Sequence, residues 1–465
     1  MEKPLRALNG LELSCLNKKS LECLPDDVFA RILSYLPKIL LVRLSIVNSR
    51  WYRICYDASL WRNICVPFDY RHNFSDRTLM KLTAYSRNVN KLCFVECVNL
   101  SDDSLCFISK HCPNMKKLQL CGCVQITDIG MMHIARRSTK LRKLGIAKTK
   151  ITNKSLNVLL QNNLFLTSLE ASTQACTVDT FKALKRCKNF QKLKVYEISE
   201  DVLVKDDHIY LDDEMLDAIG KSCPNLTHLA LIYDNVEITD SSVGALGKGS
   251  PLLRTVEIDS CPFVGDDGVR ALLENCSLEQ LHLGESKITD ATLCRIAKYL
   301  PMIRSLKLEH SDITDFGMIQ LLEHCKYLEE LSVGVKEPGN ITDITACIMC
   351  CYSGSYLCSL EFNSCAISDR GLSILANNSI LLTSLCLKSC TKITFDGLMS
   401  CLKHCQGLQL LDVSFSGLVK STEHLMDIAS ILPNLCSLAA VDVNCMSDQD
   451  LELFHSLYPL VEVRL

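Results

Sequence analysis

The 465-residue chain has no apolar run approaching the roughly 18–20 residues that a membrane span requires. It has no marked excess of charge: 50 Lys and Arg stand against 53 Asp and Glu, a formal net charge of −3, so no whole-molecule field argues for nucleic acid. The opening MEKPLRALNG has no apolar signal core, its second residue, Glu, excludes myristoylation, and the closing VEVRL carries no prenylation box. No GxGxxG, Walker-type loop or GxSxG occurs in a supporting context. These absences lead us to expect a non-catalytic chain of the cytoplasm or nucleus. It should need no cofactor or metal and bind neither nucleic acid nor membrane.

What is abundant is a phrase. It reads ITDIG from Ile126, ITN from Ile151, ITD from Ile238, VGDDG from Val264, ITDAT from Ile288, ITDFG from Ile313, ITD from Ile341, ISDRG from Ile367 and ITFDG from Ile393. The interval is about 26 residues, a period that marks a solenoid. Each copy follows an LxxLxL pattern, such as Met115, Leu118 and Leu120, or Ile303, Leu306 and Leu308. Alternation of this kind predicts a half-buried strand. Thr127 then stands at a helix N-cap, and Asp128 falls in the first turn, where the helix dipole favours negative charge. Half of the twelve prolines, among them Pro113, Pro251 and Pro433, stand just before the next strand, where they end the helix.

The 28 cysteines belong to the same pattern. Cys97, Cys123, Cys261, Cys365 and Cys390 follow the last apolar strand residue by three, where other copies have Thr149, Ser286, Ser311 or Ser416. Cys112, Cys187, Cys223, Cys276, Cys325 and Cys405 close the repeat. Cysteine in these places is expected to be small, buried and reduced. His111-Cys112, His324-Cys325 and His404-Cys405 recur at one repeat position, which a catalytic dyad would not do. Cys347, Cys350 and Cys351 lack the second pair that a structural zinc site needs.

The pattern resembles the leucine-rich repeat, more narrowly its cysteine-containing subtype, over about 89–465 in about 14 units. The resemblance implies an α/β solenoid: a curved array with parallel strands on its concave face and helices on its convex face. The copy at Phe190, Leu193 and Val195 carries an acidic insertion over 197–214, so its helix should start near Asp213. Residues 1–20 read as a tail, and 63–88 as a connector whose Thr78–Tyr85 stretch forms a capping helix.

Residues 21–62 do not fit the repeat. Val28, Ile32, Leu33 and Leu36 have helical spacing after Leu24-Pro25; Leu40, Leu44 and Val47 begin a second helix; Trp51 and Ile54 begin a third. About 40 residues rarely build a self-sufficient core, so one face should be buried against a partner. The block resembles an F-box. The resemblance implies docking on a Skp-family adaptor, and through it a cullin–RING ubiquitin ligase, with Leu24, Pro25, Ile32, Leu36, Pro37, Leu44, Val47, Trp51, Leu60 and Trp61 as the adaptor-binding residues.

Strand alternation also predicts which residues line the concave wall. Near its start these are Lys117, Gln119, Lys143, Lys192, Lys194 and Tyr196. In its middle they are Glu257, Asp259, His282, Lys307, Glu309, Glu330 and Glu361. A basic first third and an acidic middle are expected, suited to a protein substrate of opposite charge order. The run Arg136–Lys154 adds eight basic residues without an acid. The leading expectation is a substrate receptor of an SCF-type ubiquitin ligase with an unidentified protein substrate. The alternatives are a non-degradative scaffold and a receptor for a small polyanion held over Lys117, Lys143 and Lys192.

Overall fold

The computed structural model describes residues 24–84, 89–197, 211–233, 236–352, 356–378, 381–441 and 448–464. The chain divides into two compact units after Leu166.

The first unit opens with the helices Asp26–Ser34, Lys38–Leu44 and Ser49–Cys55. Pro25 and Pro37, both with extended ψ, precede the first two, and the side chain of Asn48 accepts from the Trp51 N–H at 2.9 Å to cap the third. Phe29, Leu33, Leu41, Ile54 and Trp61 form their shared core. Trp51 meets Phe29 edge-on at 4.7 Å, and Trp61 donates its indole N–H to the Cys55 carbonyl at 2.7 Å.

Four parallel strands follow in this unit, Asn63–Cys65, Lys91–Cys93, Lys117–Gln119 and Lys143–Gly145, paired in chain order. The helices Asp76–Ala84, Asp102–His111, Asp128–Arg137 and Asn153–Asn162 alternate with them. The 63–88 connector therefore holds a sheet strand as well as the expected helix. Asn63–Cys65 has a single buried residue, Ile64, and no LxxLxL pattern to announce it.

The second unit repeats the plan in twelve parallel strands from Ser168–Ser172 to Glu462–Arg464, all paired in chain order. A small pair, Leu211–Asp212 with Val236–Glu237, lies outside that sheet. The helix after the insertion starts at Asp213 as expected. Residues 198–210 of the insertion lie outside the described residues.

In each unit the central strand residues stack in register. Leu92, Leu118 and Leu144 do so in the first, and Leu281, Leu306, Leu331 and Leu360 in the second, all essentially buried. Strands repeat every 4.8 Å or so, whereas packed helices need about 8–10 Å. A stack with both layers must bend, with its strand side inward.

A second ladder joins the helix starts. Along the repeat, aspartates at the helix starts reach about 25 residues forward to the cap of the following helix. Asp102 accepts from the N–H and hydroxyl of Thr127 at 2.8 and 2.6 Å, and Asp128 from those of Thr152 at 2.9 and 2.6 Å. In the second unit Asp266, Asp290, Asp315, Asp343 and Asp369 hold Thr289, Thr314, Thr342, Ser368 and Thr394 in the same way. Three residues after the cap the chain has either glycine or a hydroxyl. Ser155, Thr292 and Thr345 donate to the same aspartates, whereas a β-carbon at Gly130, Gly317, Gly371 or Gly397 would collide with the carboxylate.

The expected cysteine positions are sealed. Cys123 and Cys390 donate their thiols to the carbonyls of Phe94 and Phe362 at 2.9 and 3.1 Å, as Thr149 donates its hydroxyl to Ile146 at 2.7 Å. The residue before each of these takes a left-handed backbone: Glu96, Gly122, Lys148, Glu285, His310, Ser364, Ser389 and Phe415 all have φ between 47° and 78°.

Candidate functional site: a helical docking face and a charged strand face

The three N-terminal helices turn Phe29 and Leu33 inward and leave another stripe outside. Val28, Ile32 and Tyr35 recur at i, i+4 and i+7 on the first helix and its end, and all three are exposed, Tyr35 at 79%. Ile46 at 86% and Val47 at 51% continue the apolar surface beyond the second helix. Leu24, Leu36, Pro37, Leu44 and Trp51 are half-buried, and Pro25 is exposed. Clustered exposed apolar side chains of this kind mark an interaction surface. Below the stripe, Asp26 pairs with Arg50 at 2.8 Å and with Arg53, and Arg50 also donates to the Leu24 carbonyl. The hydrogen bond from Arg50 chiefly holds the Asp26 carboxyl below its ordinary range.

Leu60 and Trp61, expected on the adaptor face, lie inside the unit instead. They are 5% and 0% exposed, locked in the unit's own core, where Trp61 stacks on Tyr56 at 5.9 Å. They support the docking face and offer it no surface. Sequence reasoning in turn missed Val28, Tyr35 and Ile46 as surface residues. The available signal was the 28, 32, 35 spacing, offset from Phe29 and Leu33.

On the strand face of the first unit, Lys91, Lys117 and Lys143 lie in register on neighbouring strands, with Gln119 beside them. The cations of Arg136–Lys154 do not form one patch. Arg136 and Arg137 end a helix, Lys143 lies on a strand, Lys148 and Lys150 are in the following turn, and Lys154 begins the next helix.

In the second unit Lys192 is exposed, while Lys194 and Tyr196 are half-buried on the same strand. Lys192 Nζ lies 3.3 Å from His228 Nε2, and burial followed by the Lys192 charge pushes the His228 imidazole down. The expected acidic middle is interlocked with its own cations. His282 Nδ1 lies 4.0 Å from Glu257, and its Nε2 lies 2.8 Å from the Ser305 hydroxyl, which donates to Glu330 at 2.8 Å. Lys307 and Ser332 both donate to Glu361, at 3.5 and 3.0 Å. The hydrogen bond from His282 is the main cause that holds the Glu257 carboxyl below its ordinary range. Asp259 is exposed and Glu309 half-buried on this face.

The histidine–cysteine pairs divide their work. His111, His324 and His404 each donate from Nδ1 to the carbonyl four residues earlier, at 2.9, 2.9 and 3.0 Å, while the adjacent thiols are buried. Among the described residues no group of three or more His, Cys, Asp or Glu side chains is arranged to hold a metal ion. No helix among them is long and apolar enough to cross a membrane.

Residues 21–67 match the protein family described as F-box-like, and the strand–helix repeat follows directly. The chain joins an F-box-like domain to a strand–helix repeat of the leucine-rich kind. Over 160 residues, 32% of its length, the chain is 28% identical to coronatine-insensitive protein homolog 2 of Oryza sativa subsp. indica. Over 146 residues, 30% of its length, it is 30% identical to antagonist of mitotic exit network protein 1 of Candida glabrata. The matched stretches span only 26% and 28% of those relatives' own lengths. A solved complex of Rad7 and Elc1 in yeast has the same fold, with a TM-score of 0.56 at 18% identity, covering 91% of this chain and 96% of that one.

Proposed function

We propose that this F-box and leucine-rich repeat protein is the substrate-recognition subunit of an SCF-type cullin–RING ubiquitin ligase. The observation that carries this reading is the uncovered apolar stripe of Val28, Ile32, Tyr35, Ile46 and Val47 on an F-box-like domain. A Skp-family adaptor covers the stripe and links the chain to the cullin. Leu24, Pro25, Leu36, Pro37, Leu44 and Trp51 border the contact. The repeats then hold a protein substrate on their strand faces. Lys117 and Lys143, beside Gln119, attract an acidic segment. Lys192, Lys194, Tyr196, Glu257, Asp259, His282, Lys307, Glu309, Glu330 and Glu361 supply the polar contacts of the second unit. The chain contributes proximity, placing a substrate lysine near the charged conjugating enzyme, and supplies no nucleophile.

The test is capture of a purified Skp-family adaptor by the full chain and by Ile32→Glu and Val47→Glu variants. Adaptor binding by the wild type and its loss in both variants, with folding unchanged, supports the reading. Failure of the wild type to bind, or equal binding by the variants, overturns it. A ligase role further requires that a captured protein accumulate when cullin activation is blocked. Capture without accumulation would favour a scaffold.

A further inference from the structure

Most thiols among the described residues are buried. Cys97 and Cys123, for example, are fully buried, and burial pushes the Cys97 thiol up to about 11. One pair differs. The strand Asn63–Cys65 ends on a cysteine whose in-register neighbour on Lys91–Cys93 is Cys93. Residues in register on parallel strands project from the same side of the sheet. Ile64 and Leu92 take the buried side, which leaves Cys65 exposed and Cys93 half-buried on the other. Neighbouring strands stand about 4.8 Å apart, within the roughly 4.4–6.8 Å Cα separation that a disulfide spans. Lys91 lies on that same side of the Cys93 strand, and Lys117 lies in register with Lys91 on the strand beyond.

This surrounding sets the reactivity. The Cys93 thiol donates to Cys65, and against the opposing effect of burial this, together with Lys91 and Lys117, brings the Cys65 thiol down. The lowered value favours the thiolate, the form that reacts. The shared hydrogen bond and burial push Cys93 upward, so it keeps its proton. An accessible thiolate beside a resolving thiol is the arrangement that senses oxidants.

We propose that Cys65 and Cys93 form a peroxide-responsive dithiol that closes reversibly to a disulfide between the first two sheet strands. The Cys65 thiolate attacks one oxygen of hydrogen peroxide and the O–O bond breaks. Cys65 becomes a sulfenic acid, and the departing hydroxide takes a proton to leave as water. The Cys93 sulfur then attacks the Cys65 sulfur, its proton leaves with the expelled hydroxide as a second water, and the S–S bond forms. The two sulfurs have lost two electrons to the peroxide. Closure removes the anion beside Lys91 and Lys117 and ties the strand that ends the F-box-like match to the first leucine-rich strand.

The experiment is peptide mapping without reductant on the full chain after brief exposure to a few equivalents of hydrogen peroxide at pH 7. A Cys65–Cys93 cross-link, removed by dithiothreitol, is expected. Cys93→Ser should stop at a Cys65 sulfenic acid that dimedone traps, and Cys65→Ser should give no adduct at Cys93. The rate of Cys65 alkylation by iodoacetamide should reach half its plateau at lower pH than a free cysteine peptide, and at higher pH in Lys91→Gln than in the wild type. A peroxide-treated wild type with no cross-link, or with Cys65 joined to a different cysteine, overturns the proposal. So does a Cys65 alkylation profile that matches a free cysteine peptide. These readouts need no adaptor, so failure of the ligase reading would leave them unaffected.

Discussion

Asp266 holds Thr289 of the following repeat through two hydrogen bonds, from the backbone N–H at 3.0 Å and from the hydroxyl at 2.7 Å, and takes a third from Thr292 at 2.5 Å. One carboxylate thus fixes where the next helix begins, and the same device recurs along both units. In a solenoid, stability is the sum of such neighbour terms. Asp266→Ala leaves a half-buried N–H and two hydroxyls without their acceptor. Its expected cost is about 1–3 kcal/mol, read as a lower thermal midpoint. Hydrogen exchange should localise the loosening to the helices starting at Asp266 and Asp290.

Acid should act on the same ladder. Burial pushes the carboxyls of Asp128, Asp213 and Asp266 up, but the hydroxyl and amide donors outweigh it and hold all three below 3.8. A carboxyl depressed in the folded state stabilises above its unfolded value and loses that contribution as pH falls through the folded value. The thermal midpoint should therefore hold steady above about pH 5 and drop steeply below about pH 4. Asp266→Asn should show a shallower drop. An equal slope in wild type and variant would contradict the assignment.

Gly317 exists because of Asp290. A β-carbon there would strike the Asp290 carboxylate, which already holds Thr314. Gly317→Ala should destabilise by about 1–3 kcal/mol through overpacking. Gly317→Ser should cost less than Gly317→Ala, since its hydroxyl can donate to Asp290 as Thr292 donates to Asp266. Urea unfolding of the three proteins tests the order.

The left-handed residue after each strand offers a stabilising change. Ser389 has φ of 58°, where Gly122 at the matching place has 78°. A non-glycine residue in this conformation costs on the order of 1 kcal/mol or more. Part of that is offset by the entropy glycine loses on folding. Ser389→Gly should raise stability by about 0.5 kcal/mol, and Gly122→Val should lower it by more than that. Denaturation midpoints check both signs.

The F-box-like domain separates surface from support. Ile32→Glu should leave stability within about 0.5 kcal/mol while weakening adaptor binding at least tenfold. Trp61→Ala should cost about 3–5 kcal/mol, because it empties a fully buried site and removes the donor to Cys55. Calorimetry beside adaptor titration distinguishes the two effects.

Much of this was legible in the chain itself. The spacing of Leu118 and Leu120, the cap at Thr127 and the sealed cysteines each concern neighbours within one repeat, and local chemistry decides them. Its position in the first turn marks Asp128 as a helix-dipole residue. Its larger task, holding Thr152, involves a partner about 25 residues away that no local period reveals.

The sequence alone determined that the chain repeats, where its strands and helices alternate, and that a separate helical block precedes them, because these follow from periodicity and capping within short windows. Tertiary packing decided which side of that block stays open. An amphipathic helix with apolar residues on two faces buries the one its neighbours cover, here Leu33 and Phe29, the latter edge-on to Trp51, and exposes Val28, Ile32 and Tyr35. It also decided that Cys65 meets Cys93, because strand register is a relation between distant segments and neither cysteine carries it by itself.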